Sequence, residues 1–111
     1  MIESVSMGKL LFKGKVSRSD TIVYSDHMNT KWWIESRTTI EPVDLEDVFK
    51  AEPEVVVVGL GFMMPIRISD EAVEAMKAKG IEVHVDKAEK AAELFNKFSS
   101  SKKTVGLFHL L

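Results

Sequence analysis

The fold is decided by residues 54–65, which read EVVVVGLGFMMP. Residues 55–58 are all valine, so this strand has no polar face, whereas a strand with one face in water alternates apolar and polar residues. We therefore expect this strand to lie inside a sheet that is covered on both faces. A Gly-Leu-Gly turn follows it, which raises the question of whether the turn binds a phosphate.

Helical and extended segments alternate after the valine run. Ser69 is a predicted helix N-cap, with Asp70 and Glu71 in the positively polarised first turn. Residues 81–85 alternate as a strand does, and Asp86 then predicts the cap of a third helix.

The third helix has Glu89 in the position that completes a capping box with Asp86. Residues 104–111 form the last predicted strand. The second half of the chain therefore has the order β-α-β-α-β. Crossovers through helices make such strands parallel, with right-handed connections.

The first half of the chain predicts antiparallel hairpins, because its β-prone runs are short and close together in the sequence. These runs occupy residues 9–16, 21–25, 31–34 and 37–40. Residues 44–50 predict a short helix with Asp44 as its cap and Pro53 as its stop. We predict a single domain, residues 1–111, of three-layer α/β class. Its mixed central β-sheet combines a parallel C-terminal half with antiparallel N-terminal hairpins.

The composition excludes several functional classes. The chain has 111 residues, 45% of them hydrophobic and 29% charged, which is the balance of one globular domain. It has no cysteine, which excludes disulfides and thiolate metal sites. A net charge of -2 gives no basic field for nucleic acid.

No apolar run reaches the roughly 20 residues that span a bilayer. Residues 1–6 lack a signal-peptide pattern, so we expect a complete cytoplasmic chain without membrane insertion.

The Gly-Leu-Gly turn does not match a nucleotide-binding loop. A dinucleotide fingerprint has a third glycine, but Met64 occupies that place, and Pro65 delays the next helix. Glu82 or Asp86 would be the ribose-binding acid, although almost any chain offers such a residue. No Lys-Ser or Lys-Thr pair follows the glycines either, so we expect no nucleotide cofactor.

A small anion remains a candidate ligand at the carboxyl ends of the parallel strands, where ligands of open α/β sheets bind. Gly59 and Gly61 leave the backbone accessible there, and two predicted helices begin on the same edge. Arg67 and Lys87 would supply positive charge, and Asp86 would orient the ligand. The alternative is that the glycines only permit tight turns, that Asp86 is only a cap, and that Arg67 is solvated.

The spacing of the residues does not indicate a metal site or a catalytic site. The three histidines, His27, His84 and His109, fall in a loop and two different strands without a carboxylate at ligand spacing. No serine lies in a G-x-S-x-G motif. The paired carboxylates are explained by helix N-termini. We therefore expect no metal and name no catalytic residue.

Adjacent aromatic and methionine side chains predict a protein-contact surface. Trp32 and Trp33 point to opposite faces if their segment is extended, so one is expected in the core and the other partly exposed, where it could anchor a partner. Phe62, Met63 and Met64 form an apolar loop after the valine strand, and methionine adapts well to contact surfaces. Packing beneath a helix is the alternative for this loop.

Three segments carry a family resemblance: PEVVVVGLG at 53–61, GIEVHVDKAEKAAELFNKF at 80–98 and KKTVGLFHLL at 102–111. They resemble a small Mth-type domain of unknown function that occurs in archaea, bacteria and eukaryotes. Its relatives include a mitochondrial respiratory complex I assembly factor and an adipogenesis-associated protein. The resemblance implies a three-layer α/β fold and an assembly or regulatory role, without an established reaction.

The chain departs from the family pattern at three polar positions. Leu60 and Lys87 stand where the family usually has threonine, and Phe95 stands where it has tyrosine. These losses weaken any polar site built from those positions. Gly59, Gly61, Asp86 and Asn96 match the family pattern, so the resemblance adds Asn96 to the candidate anion ligands.

Two hypotheses follow. The first is a non-catalytic binding or assembly module that contacts another protein, or forms a weak homodimer, through Trp32 or Trp33 and the loop residues Phe62, Met63 and Met64. The second is a small-molecule binding protein or enzyme, with an anionic ligand at the strand ends.

Overall fold

The computed structural model describes all residues, 1–111. The strands are β1 Ile2–Ser6, β2 Lys9–Phe12, β3 Lys15–Ser17, β4 Thr21–Val23, β5 Met28–Asn29, β6 Thr39–Ile40, β7 Val55–Gly59, β8 Arg67–Ile68, β9 Glu82–Asp86 and β10 Thr104–Phe108. The α-helices are α1 Glu46–Ala51, α2 Asp70–Lys77 and α3 Ala88–Ser99, and a 3-10 helix spans Pro42–Leu45. None of the helices has the length and apolar character of a membrane span.

The central sheet has five strands in the order β5-β4-β10-β7-β9. Strand β7 pairs in parallel with both β10 and β9, while β4 pairs with β10 in the antiparallel sense. The mixed sheet predicted from the sequence is therefore confirmed. Strand β7 is buried along its whole length, as its uninterrupted valines require, and β9 forms one border of the sheet.

The alternating side chains of β7 feed two separate cores. Val56 and Val58 pack with apolar residues of α1 and α2 and with Trp32. Val55 and Val57 pack on the opposite face with α3 and with apolar residues of β1 and β2. This alternation explains the three layers, because a strand without a polar face must be covered on both sides.

The N-terminal hairpins differ in detail from their prediction. Residues 9–16 are not one strand but β2 and β3, joined by a turn in which Lys13 and Gly14 have φ angles of 50° and 75°. Strand β1 was not predicted, and it completes a separate three-stranded antiparallel sheet. Residues 31–34 form no strand, although Trp32 and Ile34 are buried.

The predicted helix caps are confirmed at one position and wrong at two. Ser69 Oγ accepts a hydrogen bond from the Ala72 amide at 3.0 Å, as an N-cap does. Asp44 instead lies in the 3-10 helix and accepts from the amides of Glu35 and Glu41. The third helix begins one residue later than predicted, with Lys87 at the N-cap and no side-chain cap. The capping box of Asp86 and Glu89 is therefore absent.

Candidate functional site

The carboxyl ends of the three parallel strands are tied together by backbone hydrogen bonds. The Leu60 amide donates to the Asp86 carbonyl, and the His109 amide donates to the Gly59 carbonyl, both at 3.0 Å. A Cβ atom on Gly59 would lie 2.8 Å from the Phe108 ring and 3.1 Å from the Ala88 Cα. Gly59 therefore lets the start of α3 approach β7 closely, and it is itself buried.

Gly61 is buried and has a φ angle of 111°, a conformation that glycine tolerates far better than other residues. A Cβ atom there would lie 2.7 Å from the Cδ2 atom of His109. Its carbonyl accepts a hydrogen bond from the Ala88 amide at 3.5 Å. Protein atoms thus occupy much of the space that the sequence analysis left open for a ligand at this turn.

The loop of residues 60–66 is fixed to the end of the chain. The Met64 amide donates to the Leu111 carbonyl at 2.8 Å, and the His109 side chain donates from Nε2 to the Met64 carbonyl at 2.9 Å. The Ile66 amide closes the loop on the Leu60 carbonyl at 3.0 Å. This held backbone presents Met63 and Met64 to solvent, with 79% and 69% of their surfaces exposed.

His109 is buried between two acceptors. Its Nδ1 atom lies 2.9 Å from Asp20 Oδ1, and its Nε2 atom faces the Met64 carbonyl. A carboxylate and a carbonyl only accept, so each ring nitrogen lies against an acceptor of the protein. Both nitrogens of this buried ring are therefore engaged by protein groups. Residue spacing gave no signal for this pair, which lies 89 positions apart in the sequence.

The predicted anion ligands are only partly brought together. Gly61 and Lys87 line one groove of about 370 Å³, which we call the Lys87 groove; its other lining residues are Leu60, Phe62, Pro65 and Glu89. One positively charged and one negatively charged residue, Lys87 and Glu89, line this groove. Asp86 Oδ1 accepts from the amide of the next residue, Lys87, at 2.8 Å.

Two of the predicted ligands, Arg67 and Asn96, do not line the Lys87 groove. Arg67 is exposed on β8, whose backbone pairs with β6. The Asn96 side chain binds both backbone groups of Ile2: Oδ1 accepts from the amide at 2.7 Å, and Nδ2 donates to the carbonyl at 2.9 Å. Asn96 therefore fastens β1 to α3 through both atoms of its side-chain amide.

The two tryptophans have different environments. Trp32 is buried, and its Nε1 atom donates to the Asp44 carbonyl at 3.1 Å. Trp33 is 62% exposed, and the Arg37 guanidinium lies 4.8 Å from the centre of its ring. The buried neighbour thus anchors the segment that presents Trp33.

Trp33 lines a second groove of about 390 Å³, which we call the Trp33 groove. Its other lining residues are Arg18, Ser19, Asp20, Trp32, Ile34, Arg37, His109, Leu110 and Leu111. The segment of residues 109–111 borders this groove and also holds the Met64 backbone. Trp33 and the methionine loop therefore adjoin the same segment of the chain.

The other two histidines pair with neighbouring carboxylates at the surface. A hydrogen bond from His27 lowers the pKa of Asp26, and a hydrogen bond from His84, aided by the charge of Lys102, lowers the pKa of Glu82. The histidines lie apart, and no three His, Asp or Glu side chains converge as a metal site requires.

Comparison of the sequence with models of known protein families identifies the family of this chain. A family model described as "Protein of unknown function (DUF498/DUF598)" matches residues 2–110. The chain belongs to this family. Membership identifies a DUF498/DUF598 domain, an uncharacterised small domain, and assigns it no specific role.

Solved structures share the fold of this DUF498/DUF598 chain. A conserved hypothetical protein, PH1505, from Pyrococcus horikoshii OT3 has 19% identity and a TM-score of 0.85, with 99% of this chain and 98% of that chain covered. XCC1710 of Xanthomonas campestris, solved by NMR, has 14% identity and a TM-score of 0.78, covering 99% and 83%. A protein of Bartonella henselae described as an outer membrane protein has 16% identity and a TM-score of 0.72, covering 98% and 92%. At such identities the likeness shows the fold alone.

Proposed function

We propose that this DUF498/DUF598 chain is a non-catalytic protein-binding module. The observation that supports the proposal is an exposed apolar surface at the carboxyl ends of the parallel strands. We call this surface the strand-end patch; it comprises Trp33, Met63, Met64 and Leu111. Clustered apolar side chains in water mark interaction sites more often than scattered single ones do.

The fixed backbone beneath the strand-end patch supports the same proposal. Met63 and Met64 project from a loop that three hydrogen bonds hold in place, so binding would not have to order the loop first. Methionine side chains remain adaptable on such a base. Trp33 adds a large aromatic surface of the kind that dominates binding energy at interfaces. Trp32 supports this surface from the core, and Phe62 is half-buried beside the loop.

Binding of a small anionic ligand, by a binding protein or an enzyme, has less support. The Lys87 groove combines one lysine with one glutamate, and the predicted ligands Arg67 and Asn96 lie elsewhere. We therefore rank the protein-binding module first.

The proposal extends to a narrower identity and a location. We infer that the chain is a Mth-type domain with an assembly-factor-like role, from the resemblance of residues 53–61, 80–98 and 102–111. We also propose a cytoplasmic location. Fractionation of the native cells tests the location: recovery with the membranes, which the description of the Bartonella henselae protein makes worth examining, would contradict it.

The binding role is tested with a triple variant, Trp33→Ser, Met63→Ser and Met64→Ser, expressed with a tag in the native host. We expect cross-linked partners recovered with the wild-type chain to be lost with this variant. The matched control is Met7→Ser with Val16→Ser, two exposed apolar residues on the N-terminal side of the chain that line neither groove. Circular dichroism establishes that both variants fold. Retention of every partner, and of any dimer seen by sedimentation, would refute the role of the patch.

A further inference from the structure

The Trp33 groove carries two positive charges without partners. Arg18 and Arg37 both line it, and neither side chain takes part in any of the ion pairs or side-chain hydrogen bonds of the structure. Arg37 lies against the Trp33 ring, which leaves the edge of its guanidinium free for an acceptor.

The groove has one side-chain carboxylate, Asp20, and one of its two oxygens is already engaged. Asp20 Oδ1 faces His109 Nδ1 at 2.9 Å and also accepts from the Leu110 amide at 3.4 Å. These two contacts hold one Asp20 oxygen against residues 109 and 110, and no ion pair joins Asp20 to either arginine. Among the charged side chains that line the groove, two arginines therefore outnumber one aspartate, although the chain as a whole has a net charge of -2.

This charge disfavours a second copy of the chain as the occupant. In a two-fold symmetric dimer centred on the groove, the same patch faces itself, so Arg18 and Arg37 of the two copies would approach one another. Like charges that face each other at an interface oppose association. The groove is better matched by a surface of opposite charge.

We propose that the Trp33 groove binds an acidic peptide segment of a partner protein. Aspartate or glutamate side chains of the segment pair with the guanidinium groups of Arg18 and Arg37, since arginine binds carboxylates through two parallel hydrogen bonds. An apolar side chain next to the acidic residue packs on the Trp33 ring and on Leu111. The inference rests on the proposed binding function and specifies the chemistry of the partner.

The test uses the full chain, immobilised and panned against a phage-displayed library of short random peptides. We expect the enriched peptides to share an acidic residue beside a leucine, isoleucine or aromatic residue. The dissociation constant of the most enriched peptide, as a synthetic peptide, is then measured by titration. Arg18→Ala and Arg37→Ala should each weaken binding about tenfold, and so should replacing the acidic residue of the peptide by its amide.

Arg67→Ala is the matched control, because Arg67 is exposed and without an ion pair but lies outside the groove. It should leave the dissociation constant unchanged. Arg18→Ala disturbs no contact with Trp33, so it keeps the test valid if Arg37→Ala shifts the ring.

Several results would overturn the proposal: no enriched peptide, enriched peptides without acidic residues, or equal binding by the arginine variants and the wild type. Self-association that Arg18→Ala abolishes would identify a second copy as the occupant instead. If Trp33→Ser weakens peptide binding and the arginine variants do not, the binding function stands and the acidic specificity is wrong.

Discussion

The Lys87 groove and the Trp33 groove flank the loop of residues 60–66 and are similar in size, at about 370 and 390 Å³. Their walls come from different parts of the chain. The turn after β7 and the start of α3 form the first, where one lysine and one glutamate are present. The irregular segment around Trp33 and the end of the chain form the second, where two arginines lack partners. The regular β-α-β half thus supplies the scaffold, and irregular segments carry the exposed chemistry, as loops on rigid scaffolds commonly do.

The largest loss of stability is expected at Gly61, which lines the Lys87 groove and lies beside the His109 ring. Gly61→Ala should lower the free energy of unfolding by about 3 kcal/mol, because the added methyl group would meet the His109 ring while the backbone is held at a positive φ. Gly80→Ala is the control: its φ is also positive, at 79°, but nothing lies within 4 Å of the added atom. That change should cost about 1 kcal/mol. Urea unfolding measures both, and equal losses would mean that the turn after β7 is not filled by protein.

The second largest loss of stability is expected at the buried pair of Asp20 and His109. This pair lines the Trp33 groove and not the Lys87 groove. Asp20→Ala leaves the His109 ring and the Leu110 amide without an acceptor, so we expect a loss of about 2 kcal/mol. Asp26→Ala is the control, since it removes an exposed Asp–His pair and should not measurably shift the unfolding midpoint. If the two variants unfold alike, the buried pair does not hold the Met64 loop.

Asn96 sharpens the comparison from the other side, because the anion hypothesis and the structure give it different roles. Asn96→Ala should lower stability by about 1.5 kcal/mol and speed hydrogen exchange at the Ile2 amide, whose acceptor it removes. Glu93→Ala, an exposed change on the same helix, should do neither. Unchanged stability with altered binding of phosphate or small organic acids would restore Asn96 to the Lys87 groove.

Much of the scaffold could be predicted from local pattern. The valine run fixed the position of β7, and the apolar spacing after it gave α2, β9 and α3 in order. The caps at Asp44 and Asp86 were predicted less well. An aspartate can accept from several nearby amides, and the sequence does not say which amide lies within reach.

The candidate site was less predictable because it depends on contacts between distant parts of the chain. The opposite-face argument separated Trp32 from Trp33 but could not say which one is buried. Asp20 meets His109 only because β4 lies beside β10 in the folded sheet. Arg18 and Arg37 share a groove for a similar tertiary reason, and no spacing in the sequence relates them.

The smallest effect is expected far from both grooves, at Glu82 on β9. A hydrogen bond from His84 and the charge of Lys102 lower the pKa of Glu82. This interaction therefore stabilises the folded chain at pH values above the ordinary pKa of a glutamate. The contribution is lost as the pH falls through the lowered pKa that Glu82 has in the folded chain. Glu82→Gln should therefore remove a small part of the acid sensitivity in urea midpoints measured across that range. Glu93→Gln should leave that dependence unchanged, and a larger effect there would assign the acid sensitivity to general surface charge.

The position of β9 at the sheet border has a consequence for self-association. An antiparallel copy centred on His84 would set Glu82 of one molecule opposite Asp86 of the other, because these residues begin and end the strand. Opposed carboxylates repel, and charge on an unpaired outer strand is a common defence against fibrous aggregation. The chain can therefore expose apolar residues at one end of its sheet while strand β9, at the border of the same sheet, resists edge-to-edge association with other copies.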